Sequence, residues 1–275
     1  MRFGFHLPQF GRAVVTGGIE RAAVQAEELG YDDVWVSDHL IVPADQAYPV
    51  PYLYDPLMAL AFAAAATRRV GIGTSVLVAT QYTSPLALAN ALASLDYLSG
   101  GRLTVGAGIG WSEAEYQALG APFDHRGQRL EEMLALWQTA WHDDPATHAG
   151  TYYPFQQMRI LPKPAHEIPV WLGGTSDAAL QRALRLAQGY HGIGVEPAAA
   201  AVLVERIRKE RPDDSFTISL RIPWDARSDD AEVRAAVEEY AKAGVQHLLF
   251  TPDRGDLETW LAGMAQLARQ LDLRS

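Results

Sequence analysis

The stretch VGIGTSVLVATQYTSPLALANALASLDYLSGGRLTVGA, residues 70–107, holds one complete strand–helix–strand unit. Val70–Val78 is a short run rich in Val, Ile and Leu with no polar alternation, the pattern of a strand covered on both faces. Pro85–Leu98 is long, rich in Ala and Leu, and stops at Ser99-Gly100-Gly101. Leu103–Ala107 then returns to strand composition, so the segment reads as two parallel strands joined by a crossover helix.

The same alternation runs outward to both ends of the chain. Further strands are expected at Arg2–Leu7, Asp33–Ser37, Val170–Gly173, Gly189–Val195, Phe216–Ile222 and Gln246–Thr251. Helices are expected at Gly18–Leu29, Pro56–Thr67, Arg126–Trp141, Asp177–Leu186, Pro197–Glu210, Asp229–Ala243 and Leu257–Leu271. N-cap chemistry at Asp177 and Asp229 and glycine stops at Gly30 and Gly244 support these boundaries. Eight strands and eight helices in strict alternation predict an α/β fold, a closed (β/α)8 TIM barrel. A doubly wound open sheet is the competing arrangement, but it calls for fewer units and a reversal of strand order. Residues 143–167 carry four prolines and the aromatics Tyr152, Tyr153 and Phe155 with no helical period. That length exceeds an ordinary link, so the segment reads as an insertion before the fifth strand, such as a hairpin, within one domain over residues 1–275.

Composition narrows the function. The 275 residues are 48% hydrophobic and 20% charged, a globular profile, with a formal net charge of −10 and no local basic patch. That charge repels phosphate backbones and anionic lipid, so neither nucleic acid nor a membrane surface is an expected partner. The apolar stretch Leu57–Ala66 is about half of what a bilayer crossing needs. Pro8 and Gly11 break the N-terminal segment, no signal-peptide pattern follows, and a cytoplasmic location is expected. With no Cys there is neither a thiolate nucleophile nor a sulfur-ligated metal. His142, Asp143, Asp144 and His148 lack metal-ligand spacing, and no metal is expected.

In such a barrel, chemistry belongs where strands end at their C-terminal side. Four clusters fall there: Ser37-Asp38-His39, Gly73-Thr74-Ser75-Val76, Gly106-Ala107-Gly108-Ile109-Gly110-Trp111 and Gly173-Gly174-Thr175-Ser176. Asp38-His39 is a titratable pair able to move a proton near neutral pH, or else a turn cap beside a structural histidine. Gly173, Gly174 and Thr175 at a strand-to-helix turn suit an anion at a helix N-terminus, or a plain tight turn. The glycines at 106, 108 and 110 miss the dinucleotide fingerprint by one residue and suggest room for a flat ring at the barrel mouth. Trp111, Glu113 and Tyr82 are candidate pocket walls, as are Trp35 and the insertion aromatics.

Taken together, five segments in register resemble the luciferase-like flavin and deazaflavin oxidoreductases, and more narrowly their coenzyme F420-dependent branch. They are Gly4–Gln9, Ala26–His39, Val70–Leu77, Gly101–Trp111 and Ile168–Gly174, covering most of the first 195 residues. The resemblance implies the barrel fold, and it implies that Asp38 and His39 lie beside the cofactor ring, with His39 as the proton relay. It further implies a non-prolyl cis peptide at Ser75-Val76 behind the ring, a cofactor loop at Gly106, Ala107 and Gly108, and a phosphate cradle at Gly173, Gly174 and Thr175. Sugar-phosphate dehydrogenases of the family carry Glu where this chain has Trp111 and Trp where it has Pro43, which argues against glucose 6-phosphate as substrate. Hydride transfer between F420 and a small, mostly apolar molecule is the leading expectation. An FMN-dependent monooxygenase and a non-catalytic cofactor carrier are the alternatives. The apolar helices after the second and third strands suggest a homodimer.

Overall fold

The computed structural model describes residues 1–45, 53–252 and 255–273. Eight parallel strands close into a barrel: β1 (Arg2–His6), β2 (Asp33–Val36), β3 (Gly71–Val78), β4 (Leu103–Gly108), β7 (Val170–Gly173), β8 (Gly189–Ile193), β9 (Thr217–Trp224) and β10 (His247–Pro252). They lie side by side in chain order, with β10 pairing back onto β1 from Arg2↔His247 to Phe5↔Phe250. Closure leaves no sheet edge, and the helices wrap the outside: α1 (Gly18–Leu29), α2 (Pro56–Ala66), α3 (Pro85–Ser99), α5 (Arg126–His142), α6 (Asp177–Leu186), α7 (Pro197–Glu210), α8 (Asp230–Ala243) and α9 (Leu257–Gln270). The (β/α)8 expectation is met strand by strand. No described helix is long and apolar enough to cross a membrane.

Two pieces interrupt the alternation. One is α4 (Glu113–Ala118), a six-residue helix between β4 and α5 that is too short to show a helical period in sequence. Ser112 caps it by accepting from the Glu115 N–H, and the buried Tyr116 anchors it by donating to the Ile109 carbonyl at 2.6 Å. The other is an antiparallel pair within residues 143–167, β5 (Ala146–His148) against β6 (Phe155–Met158). Glu132 on α5 pins its turn by accepting the backbone N–H groups of Thr151, Tyr152 and Tyr153.

The barrel interior is built around one indole. Trp35 on β2 is 1% exposed and stacks on Trp171 of β7 at 5.4 Å and on His191 of β8 at 5.3 Å with the rings nearly parallel. So large a side chain on the axis demands bare backbone opposite it. A Cβ on Gly73 would lie 2.6 Å from the Trp35 ring, and one on Gly106 would lie 2.1 Å from the Thr74 carbonyl and 3.5 Å from the indole. The close approach of β3 and β4 thus rests on Gly106, just where their register shifts between Thr74 and Leu77 and where Ser75-Val76 is cis.

Gly106→Ala is expected to cost about 1–3 kcal/mol through this overpacking. The check is a lower urea midpoint with an unchanged denaturant slope; an unchanged midpoint would show that β3 yields without cost.

Candidate functional site

A cavity of about 370 Å³ opens at the C-terminal ends of the barrel strands, within the size range of small-molecule sites. Its walls are mostly apolar: Phe10, Val76, Val78, Trp111, Ile193 and Pro252 among them. Its polar groups are Asp38 and His39 after β2, Ser75 on β3, Gln81, Glu115 on α4 and Arg221 on β9. The lining thus comes from the C-terminal ends of seven of the eight barrel strands, a convergence that only barrel closure brings about.

His39 is held by a carboxylate. Its Nδ1 lies 2.9 Å from Glu115 Oε1, while Glu115 Oε2 accepts from the Gln81 amide at 3.1 Å. Glu115 is 1% exposed, so a well-bonded buried carboxylate fixes the imidazole with its Nδ1 as donor and its Nε2 as acceptor. The Trp111 ring meets His39 edge to face at 6.1 Å and is itself 58% exposed at the rim.

Asp38 is buried beside this pair. One oxygen accepts the Val78 N–H at 2.8 Å, whereas Oδ1 closes no hydrogen bond among the described residues. Burial pushes its pKa from 3.8 up to about 7; the Val78 N–H and the Tyr82 hydroxyl oppose the rise, while the charges of Asp55 and Glu115 add to it. That Tyr82 hydroxyl lies behind the carboxyl and is likewise buried. Burial and then the charge of Asp38 hold that phenol in its neutral form.

The cavity floor is the Ser75-Val76 peptide. The Ser75 carbonyl accepts from Arg221 at 3.0 Å and from the Ser37 hydroxyl at 3.3 Å, and Arg221 also donates to Thr251 and to Ser37 Oγ. The turn at Gly173-Gly174-Thr175-Ser176 stands on the adjacent rim, tied in by Val76, whose side chain would be 3.1 Å from a Cβ on Gly173. Gly174 has φ +133°, and a Cβ there would meet Ala179 at 2.6 Å, so only glycine fits the turn that opens α6.

The structure thus brings Asp38, His39, Ser75, Val76 and Trp111 to one cavity, and it corrects other placements. Glu113 faces solvent on the outer side of α4, and the acid that enters the cavity is Glu115, two positions on. Sequence reading had one signal for it, the Ser112-x-x-Glu115 spacing of a capping box, but the Glu115 carboxylate turns to His39 instead of back to the cap. Tyr82 backs Asp38 and forms no cavity wall, and Trp35 is barrel core. Gly106, Ala107 and Gly108 lie under β3, where a Cβ on Gly106 would meet the Thr74 carbonyl and one on Gly108 would meet Val76, and none of the three lines the cavity. The aromatics of the insertion pack beside α5 and do not line the cavity.

A closed (β/α)8 barrel with a histidine, two buried acids and an apolar cavity at its C-terminal face is the architecture of a small-molecule enzyme. Residues 1–273 match the luciferase-like monooxygenase family, and the chain belongs to that family. It is similar to the F420-dependent glucose-6-phosphate dehydrogenase of Amycolatopsis mediterranei, 30% identical over 76% of this chain and 66% of that one. It is 36% identical to that of Beutenbergia cavernae over 61% of this chain and 49% of that one. The chain thus spans about half to two thirds of the curated relatives it matches. The fold is shared with the monooxygenase RslO1 from Streptomyces bottropensis, at a TM-score of 0.82 with 21% identity and 98% coverage of both chains.

Asp38 binds its proton more tightly in the folded chain than in the unfolded one. Its contribution to stability is therefore fully present below about pH 4 and is lost as pH rises through about 7, a swing of about 4 kcal/mol. Asp38→Asn should lack this loss, so that its advantage over the parent in urea unfolding grows from pH 4 to pH 8. A constant difference across that range would refute the raised pKa.

Proposed function

We propose that this protein is an F420-dependent oxidoreductase that moves a hydride between the deazaflavin and a small, largely apolar alcohol or carbonyl compound. One observation carries the reading: a buried acid held toward its neutral form, Asp38, stands beside a carboxylate-held histidine over an apolar floor. The curated relatives named as F420-dependent dehydrogenases support the cofactor. A likeness of fold to an F420-dependent secondary alcohol dehydrogenase, at a TM-score of 0.80 and 18% identity, is compatible with it.

The residues present fit such a group. Asp38, His39, Ser75 and Val76 would hold the ring, and Gly173, Gly174 and Thr175 would meet its phosphate with backbone N–H groups where α6 begins. Bound there, F420 supplies two-electron hydride exchange without oxygen activation. The chain supplies the rest. His39 Nε2, which has no hydrogen bond among the described residues, takes the hydroxyl proton of an alcohol, and Glu115 stabilises the imidazolium so formed. Asp38, neutral below about pH 7, offers an O–H donor beside it. Trp111, Val76, Val78 and Ile193 keep water from the reacting atoms. Arg221 is engaged with Ser37, Ser75 and Thr251, and Trp111 stands where the sugar-phosphate enzymes carry Glu, so glucose 6-phosphate is not the proposed substrate.

The reading also makes the chain a homodimer. Met58 and Phe62 on α2 and Tyr97 and Leu98 on α3 are exposed on neighbouring helices, the pattern of a covered apolar face. Light scattering at micromolar concentration should return twice the chain mass; a monomeric mass would remove this part of the proposal.

Equilibrium binding followed by tryptophan quenching should show F420 bound at least about tenfold more tightly than FMN. Gly174→Val should weaken F420 binding by about tenfold or more. His39→Ala should leave it within about threefold while lowering turnover by about 10²–10⁴. Tighter FMN binding would make the protein an oxygen-using flavin enzyme, and full turnover without His39 would remove it from the chemistry.

A further inference from the structure

Beneath the cavity floor runs a row of buried polar side chains that the proposed chemistry does not use. Ser75 Oγ lies 2.8 Å from His191 Nε2, and His191 Nδ1 lies 2.7 Å from Ser219 Oγ. Ser219 Oγ lies 2.6 Å from His247 Nδ1, and His247 Nε2 lies 2.9 Å from Asp33 Oδ1. His191, Ser219 and His247 are cross-strand neighbours in register on β8, β9 and β10, and all three are fully buried. The row starts at the cavity, where Ser75 is 2% exposed, and ends at Asp33, the first residue of β2. Even the backbone makes room for its end: a Cβ on Gly4 would lie 2.2 Å from Asp33 Oδ1.

The end group decides which way every proton points. Asp33 is an acceptor only, and it takes both the Trp35 indole N–H at 2.5 Å and a proton from His247. Burial opposes its charge, but the hydrogen bonds from His247 and the Trp35 N–H outweigh that, and its pKa lies below the ordinary value. In its neutral form His247, donating through Nε2, has only a lone pair at Nδ1 and must accept from Ser219. Ser219 then accepts from His191 Nδ1–H, which leaves His191 Nε2 as an acceptor for the Ser75 hydroxyl. Burial pushes the pKa of His191 down to about 3, so the ring is neutral and has one proton to place. The charged and titratable groups around the row are Arg2 at the Asp33 end and Arg221 with His6 at the cavity end, and Trp35 and Trp171 stack along its side.

We propose that Asp33 and His247, on the far side of the barrel interior, make Ser75 Oγ a hydrogen-bond acceptor only, so that the cavity floor selects a ligand group that donates, an N–H or O–H, and disfavours a carbonyl or phosphate oxygen. Ser75 is the contacting residue; His191, Ser219, His247 and Asp33 are positioning residues that act through it.

Nitrogen-15 NMR of the histidine-labelled full chain, without any ligand, tests this directly, because the two neutral tautomers have distinct ring signals. His191 should carry its proton on Nδ1 and His247 on Nε2 alone at neutral pH; the opposite tautomer at either ring, or a doubly protonated His247, overturns the proposal. Ser219→Ala removes the acceptor of His191 Nδ1–H, and since a buried orphan N–H costs more than an orphan lone pair, the proton should move to Nε2. Ser219→Thr, which keeps the hydroxyl, should restore the original tautomer. An unmoved proton in Ser219→Ala overturns the proposal. Ser75→Ala supplies an arm that leaves the deeper row intact: His191 should keep its Nδ1 proton, whereas a switch there would show that the polarity is imposed from the cavity end. None of these readouts involves a cofactor, so their failure leaves the proposed activity standing, and failure of F420 to bind leaves them unaffected.

Discussion

An indole on the barrel axis sets the terms for everything above it. Trp35 fills the interior between Trp171 and His191, and the strands around it can close only because glycine stands at positions 73 and 106. With Gly106 bare, the Thr74 carbonyl moves in against β4, and β3 shifts register over the next residues. That shift is what carries the Ser75-Val76 peptide to the cavity floor. A close-packed interior at one level thus dictates the shape of the binding surface at the next, since packed cores transmit displacement and do not absorb it.

Above the floor, two acids have different surroundings. Glu115 has two partners, the His39 ring and the Gln81 amide. Asp38 accepts from one backbone N–H and faces the Tyr82 hydroxyl, and burial drives it toward the neutral form near pH 7. The pair follows the general rule that environment, and not residue type, separates a structural carboxylate from one that holds a proton. Three carboxyl groups, those of Asp38, Glu115 and Asp55, influence the same small volume, which is a poor site for a further anion and a good one for a neutral substrate.

Most of the architecture was legible in the chain alone. The eight barrel strands and their helices lie within a residue or two of where apolar runs, caps and glycine stops put them, because strands covered on both faces leave a composition signal that needs no tertiary information. Asp38 and His39 were legible for a related reason: they follow a strand, and in a barrel the residues after strands share one rim. What failed was the direction of side chains. Glu113 and Glu115 are indistinguishable by composition, and only the seating of α4 by Tyr116 turns one to solvent and the other onto His39. Gly106 and Gly108 looked like space for a ligand, whereas β3 packs against them, and of the three glycines only Gly110 lines the cavity.

The row from Ser75 to Asp33 shows the division most clearly. Its five members are spread over more than two hundred residues and belong to five different strands, β2, β3, β8, β9 and β10, with nothing in their local sequence to link them. By itself the sequence determined which segments become strands and helices, that they alternate to closure, and which loops share the barrel mouth, because period and composition are local properties. The tertiary structure alone decided which acid holds His39, which acid burial drives toward its neutral form and which polar groups line up across the interior. Those depend on strand register and side-chain direction, and both are set by packing between residues far apart in the chain.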